Sequence, residues 1–246
     1  MTGRAANVFW WAKDERSPGD WEDGAAFDPA GGRMAVADGA SAAYRAREWA
    51  THLVESWVGS APMGDADPAV AGRWFTDVAS RWKSEDDVQN LEWYHQDAAR
   101  RGSFAAFIGV QLTTSRARTS WTAVAVGDCC LFQVRGDRLL TAFPLSDPAA
   151  FGNAPDLVPS AADKLDRLRD RIRTSRGSAE PGDLILLCSD AFAKFLLTVA
   201  ADGTVWAVLR SLVDNRQFGE LVGYLRAQGL LELDDVTLLR VMVTAG

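Results

Sequence analysis

Histidine, lysine and cysteine are all scarce in this chain of 246 residues, and each shortage removes a class of chemistry. Two histidines, His52 and His95, both fall in stretches with helical periodicity, where core or surface roles suit them better than catalysis. Three cysteines (Cys129, Cys130, Cys188) lie in or beside apolar runs without a CxxC pair, which argues against a zinc site. Adjacent Cys129 and Cys130 should point to opposite faces of a strand, and buried free thiols fit a reducing compartment. Four lysines against twenty-two arginines, with a net charge of −7, leave no basic face for nucleic acid or an anionic membrane. No apolar run reaches ~18 residues, so no spanning helix is expected. Met1-Thr2-Gly3-Arg4 opens no signal-peptide pattern, and the expected location is cytoplasmic.

What is abundant is apolar: 48% of residues, ten tryptophans among them, enough for a substantial core. Short strands are expected at 8–12, around Ala25-Ala26-Phe27 and at 33–37. Trp49, Leu53 and Trp57 then recur at helical spacing, predicting a helix over 42–58 with Ser41 as its cap. Asp67 and Pro68 open a second helix, and a more polar one is expected over 85–100, ended by Gly102.

The middle of the chain, 104–143, reads as four strands in an antiparallel meander, with turns at Gly127-Asp128 and Gly136-Asp137. A proline-bearing loop spans Pro144 to Ala162 and a short charged helix Lys164 to Arg171. The strongest strand is Leu184 to Cys188. Helices follow near 191–200, 205–213 and 216–228, and a last strand covers 236–243. With no repeat and no linker, the expectation is a single α+β domain over 1–246.

Acids punctuate these strands. Asp38-Gly39 follows Met34-Ala35-Val36-Ala37, Asp190 follows the strand ending at Cys188, and Asp234-Asp235 precedes Val236. Alone, each has an ordinary explanation: a turn, a helix N-cap, a solvated pair. Together, carboxylates at several strand ends can converge at one sheet edge. Converging carboxylates call for a cation, and all-oxygen ligation favours Mg²⁺ or Mn²⁺ over zinc.

The order of these motifs resembles the PP2C (PPM) type of metal-dependent protein phosphatase. That family carries a Glu-Asp pair, Asp-Gly after an early strand, Gly-Asp in the meander, Ser-Asp-Gly after a strong strand, and Asp-Asn-x-Thr before the last strand. Here they stand as Glu22-Asp23, Asp38-Gly39, Gly127-Asp128, Ser189-Asp190-Ala191 and Asp234-Asp235-Val236-Thr237.

The resemblance implies a four-layer α-β-β-α sandwich with two Mg²⁺ or Mn²⁺ ions at one edge. Asp38 would bridge them, Asp190 and Asp234 would hold one, and Glu22 with the Gly39 carbonyl the other. Asp23 would stand behind the ions, and Asp128 with Asp190 would mark a looser third metal. The implied reaction is hydrolysis of phosphoserine or phosphothreonine in a protein substrate, opposing a kinase, with Asp38 and Asp190 central to catalysis. No Cys-x5-Arg supports thiolate chemistry instead.

Several positions depart from the family pattern. Ala40 and Ser41 follow Asp38-Gly39 where many members have His or Met and then Gly. Ala191 replaces a glycine, and Asp235 replaces an asparagine. The arginine nearest to the family's phosphate-binding position is Arg16, at a different spacing. These departures keep a second reading open: a PP2C-like binding module with weak or no turnover.

Overall fold

The computed structural model describes residues 6–41, 43–62, 67–82, 98–99, 101–115, 118–152 and 154–244. Eleven strands and five α-helices account for the described core. The strands are β1 (Ala6–Trp11), β2 (Gly24–Asp28), β3 (Arg33–Gly39), β4 (Phe104–Thr114), β5 (Thr119–Val126), β6 (Cys130–Arg135), β7 (Arg138–Phe143), β8 (Val158–Pro159), β9 (Arg173–Ala179), β10 (Leu184–Cys188) and β11 (Val236–Met242). The helices are α1 (Ala46–Ser60), α2 (Pro68–Arg81), α3 (Asp190–Val199), α4 (Thr204–Ser211) and α5 (Asn215–Ala227).

Two antiparallel sheets result. One runs β1-β11-β10-β6-β7; the other runs β2-β3-β4-β5-β9, with β8 added to β4. Side chains alternate between faces along each strand, and this alternation separates three cores. On β3, Met34 and Val36 enter the core between the sheets, whereas Ala35 and Ala37 face the layer of α1 and α2. On β11, Leu239 and Val241 point between the sheets, whereas Val236 and Leu238 face α3, α4 and α5. The architecture is the four-layer α-β-β-α sandwich. β10 is fully buried along its length because both of its faces are covered, which is why its sequence is a continuous apolar run. Each large aliphatic side chain buried there contributes about 1.5–3 kcal/mol.

The helices carry the expected stripes. Trp49, Leu53 and Trp57 of α1 are buried, and the two indole N–H groups donate to the carbonyls of Val158 and Val110 at 2.9 and 3.2 Å. Asp67 caps α2 through the Ala69 amide at 2.8 Å, with Pro68 in the first turn. Cys129 and Cys130 do face opposite ways, into the intersheet core and the outer core, and all three cysteines are free and buried.

Several sequence expectations change. The meander is not one sheet: β4 and β5 belong to one sheet and β6 and β7 to the other, with the crossing at Gly127-Asp128. Ser41 does not cap α1, which begins at Ala46 after Arg45 in the left-handed region (φ 52°). Residues 162–171 form 3-10 turns rather than an α-helix, and β9 replaces an unassigned stretch. The helix expected over 85–100 lies almost wholly outside the described residues. Among the described residues, no helix is long and apolar enough to cross a membrane.

Candidate metal centre

Register brings the acids together. Cys188 of β10 pairs with both Leu238 of β11 and Cys130 of β6, so Asp190, Asp234-Asp235 and Asp128 lie at the same end of their sheet. Trp11 pairs with Val236, which brings the chain just after β1 to that end as well. In the other sheet Gly24 pairs with Ala37, so Glu22-Asp23 meets Asp38-Gly39. The two ends are tied across the sandwich: Thr237 Oγ1 donates to Asp23 Oδ2 at 2.6 Å.

Gly39 is needed for this approach. A Cβ there would sit 2.6 Å from the Glu22 carbonyl oxygen and 2.9 Å from the Ala46 backbone. Gly127 is required for another reason: its φ of +89° is the left-handed turn that sends the chain from one sheet to the other.

Asp23 is completely buried, and Oδ1 has no hydrogen-bond partner. Burial, opposed in part by Thr237 and increased by Asp235, pushes its carboxyl up to about 7. Asp128, 4% exposed, is also pushed up to about 7, by burial and then by Asp190. Asp38 lies well above the usual carboxylate range because of burial and the charges of Asp23, Asp190, Asp128 and Asp234. Asp190 is raised as well, by burial and by Asp234. These are acids that repel one another in a half-dry space, which is the electrostatic condition a bound cation relieves.

The N-cap of α3 is Ser189, not Asp190, and the Ser189 hydroxyl accepts the Thr237 amide at 2.9 Å instead of capping. Asp190 is therefore not the N-cap, and its carboxylate takes the adjacent Ala191 amide. Asp235 turns out to be a clasp: Oδ1 accepts Lys13 N and Oδ2 accepts Glu22 N, each at 2.7 Å. Arg226 fastens the same corner by donating to the carbonyls of Ala12 and Asp234.

Lys13, which no motif in the sequence singled out, bonds Glu22 Oε2 at 2.8 Å and Ser41 Oγ at 2.9 Å. Burial lowers the ammonium's pKa, but Glu22, Asp235 and Asp234 outweigh it and raise the group above its ordinary value. A cavity of about 390 Å³ opens beside it, bordered by Glu22, Ser41, Arg45 and Arg47.

Arg16 is not gathered with the acids; its side chain is 90% exposed and its guanidinium pairs with Asp14 at 3.2 Å. His52 stacks on Trp49 and lies within 3.2 Å of the Val78 carbonyl, in the helical layer. Burial raises the Cys129 thiol well above its usual range, and the nearby acids add to this, which disfavours a thiolate there.

The donor set suits a hard cation, since it is oxygen throughout, rich in carboxyl groups whose ionised forms a cation would favour, and backed by the orphaned Asp23 Oδ1. Among the described residues, no three Asp, Glu, His or Cys side chains are already gathered closely enough to enclose an ion.

No family model matches the chain, and neither does any curated protein sequence. Solved structures do. The photosystem II phosphatase PBCP is similar over 99% of this chain and 100% of its own, with a TM-score of 0.62 and 16% identity. The catalytic domain of the serine/threonine phosphatase PstP, in complex with two manganese ions, covers 98% of this chain and 99% of its own, with a TM-score of 0.62 and 15% identity. Serine/threonine phosphatase Stp1 from Staphylococcus aureus gives a TM-score of 0.63 at 13% identity, covering 98% of this chain and 96% of its own. The chain therefore has the fold of PP2C-type serine/threonine phosphatases, along its full length.

Proposed function

We propose that this chain is a metal-dependent phosphoprotein phosphatase acting on phosphoserine or phosphothreonine. The observation that carries the reading is the strand register, which sets Asp38, Asp128, Asp190 and Asp234, distant in sequence, at strand ends on one side of the sandwich. Asp38, Asp190 and Asp234 would hold Mn²⁺ or Mg²⁺, with Glu22 and the Gly39 carbonyl completing the set and Asp128 at its margin. Bound divalent ions supply an activated water at neutral pH and offset charge on the phosphoryl oxygens. Asp23 keeps its place behind these ligands through Thr237, while Asp235 and Arg226 fix the strand ends that present them. With the metal bound, the phosphoryl group would pass directly to water, and the three buried thiols would have no part in the reaction. A phosphorylated protein is the expected substrate, and a serine/threonine kinase the expected opponent.

The test is phosphate release from a phosphothreonine peptide, with Mn²⁺ or Mg²⁺ added and then removed by a chelator. Turnover should require the metal. Turnover that survives complete chelation would end the proposal. The exposed, Asp14-paired position of Arg16 favours a second reading, a module that binds phosphoprotein without turnover. Tight peptide binding with no phosphate release, metal present, would select it.

A further inference from the structure

Glu22 already has a cation. Lys13 Nζ lies 2.8 Å from its Oε2 and 2.9 Å from Ser41 Oγ, in the turn that follows Asp38-Gly39. This is not a meeting of two free surface chains, whose pairing contributes little. The side chains are only 34% and 24% exposed. Their backbones are also held at a set spacing by one carboxylate, because Asp235 accepts the amides of both residues. An asparagine, which the family resemblance leads one to expect at 235, has one acceptor oxygen and an NH₂ that cannot accept, so it could not grip both amides symmetrically. The departure at Asp235 thus sets the spacing of the two backbone positions that carry Lys13 and Glu22.

We infer that the Lys13 ammonium takes the place of the ion that Glu22 would otherwise hold, so the chain binds a single divalent ion, on Asp38, Asp190 and Asp234. The inference rests on the metal-dependent reading above and alters its two-ion count. A lysine ammonium is a compact point charge with three donors. It satisfies Glu22 and Ser41 while keeping a positive charge beside the cavity.

The test is Mn²⁺ stoichiometry by calorimetry, together with the electron paramagnetic resonance spectrum, on the wild-type chain, Lys13→Arg and Lys13→Ala. Circular dichroism would verify each fold. The wild type and Lys13→Arg should hold a single ion with a mononuclear hyperfine pattern. Lys13→Ala should gain a second ion and an exchange-coupled spectrum, since ions sharing a carboxylate lie ~3.5–4 Å apart. A coupled pair in the wild type would overturn the inference while leaving the phosphatase reading intact. So would a single ion in folded Lys13→Ala. If Lys13→Ala does not fold, Lys13→Gln and the wild-type count decide. No Mn²⁺ binding in any chain would overturn both the inference and the phosphatase reading beneath it.

Discussion

Thr237 shows how the site depends on atoms that hold no metal and touch no substrate. Its hydroxyl donates to Asp23 Oδ2 and accepts the Trp21 indole N–H at 3.2 Å, inside a region closed to water. Thr237→Val keeps the shape but leaves a second Asp23 oxygen unpaired, beside one that already is. The expected loss is about 1–3 kcal/mol in the urea-unfolding free energy. The bond with Thr237 also holds the Asp23 carboxyl down, so its removal raises the folded value further and the deficit should grow with pH. An unchanged urea midpoint would show that Asp23 does not depend on this bond. At this scale the sequence was only partly legible. The acids stood out because each ended an apolar run, but Lys13, in the run Ala12-Lys13-Asp14-Glu15, looks like any solvated turn. Its meaning comes from contacts with Glu22 and Ser41, 9 and 28 residues away.

At the scale of elements, strands and helices with strong periodicity could be read directly, and their assembly could not. Leu184 to Cys188 and the Trp49-Leu53-Trp57 stripe were evident because a covered strand is continuously apolar and a helix repeats near 3.6 residues. The split of the meander was not, since β5 and β6 are both apolar and sheet membership is set by distant partners, β9 for one and β10 for the other. β9 escaped notice because Arg173-Thr174-Ser175-Arg176-Gly177-Ser178 is a polar edge with no apolar alternation. The junction of β3 with α1 yields the prediction at this scale. Gly39→Ala would push a methyl into the Glu22 carbonyl and the Ala46 backbone, neither of them a flexible side chain end. It should destabilise the chain by about 1–3 kcal/mol and displace the Asp38-Gly39 strand end, lowering Mn²⁺ affinity as well as the melting temperature. A variant that melts and binds Mn²⁺ like the wild type would refute this close packing.

For the whole molecule, stability should depend on pH in two opposite ways. Asp23 and Asp128 have folded values of about 7, above the ordinary carboxylate value that the unfolded chain should show. Their contribution is therefore fully present below that value and is lost as pH rises through about 7. Asp183 behaves oppositely: burial raises it, but Arg135 at 2.7 Å, the Glu180 amide and Gln133 outweigh that and hold it below 3.8. Its contribution is present above the unfolded value and is lost as pH falls through the folded one. Metal-free protein should thus melt at a lower temperature near about pH 8 than near about pH 5, with a separate loss in strong acid. Added Mn²⁺ should restore the alkaline side, because a bound cation keeps the carboxylates ionised at less cost. A melting temperature that rises steadily from about pH 5 to about pH 8 without metal would contradict the raised acids.

The same acids carry the central claim, that their convergence is a cation centre for phosphate-ester hydrolysis. The most direct test is the rate of phosphate release from a phosphothreonine peptide by Asp38→Asn and by the wild type, at saturating Mn²⁺ and with matching circular dichroism. Asp38→Asn removes one charge from the middle of the group at almost constant shape. The predicted result is loss of about 3–5 kcal/mol of barrier lowering, a fall of two to four orders of magnitude in turnover. Wild-type turnover in Asp38→Asn would contradict the account.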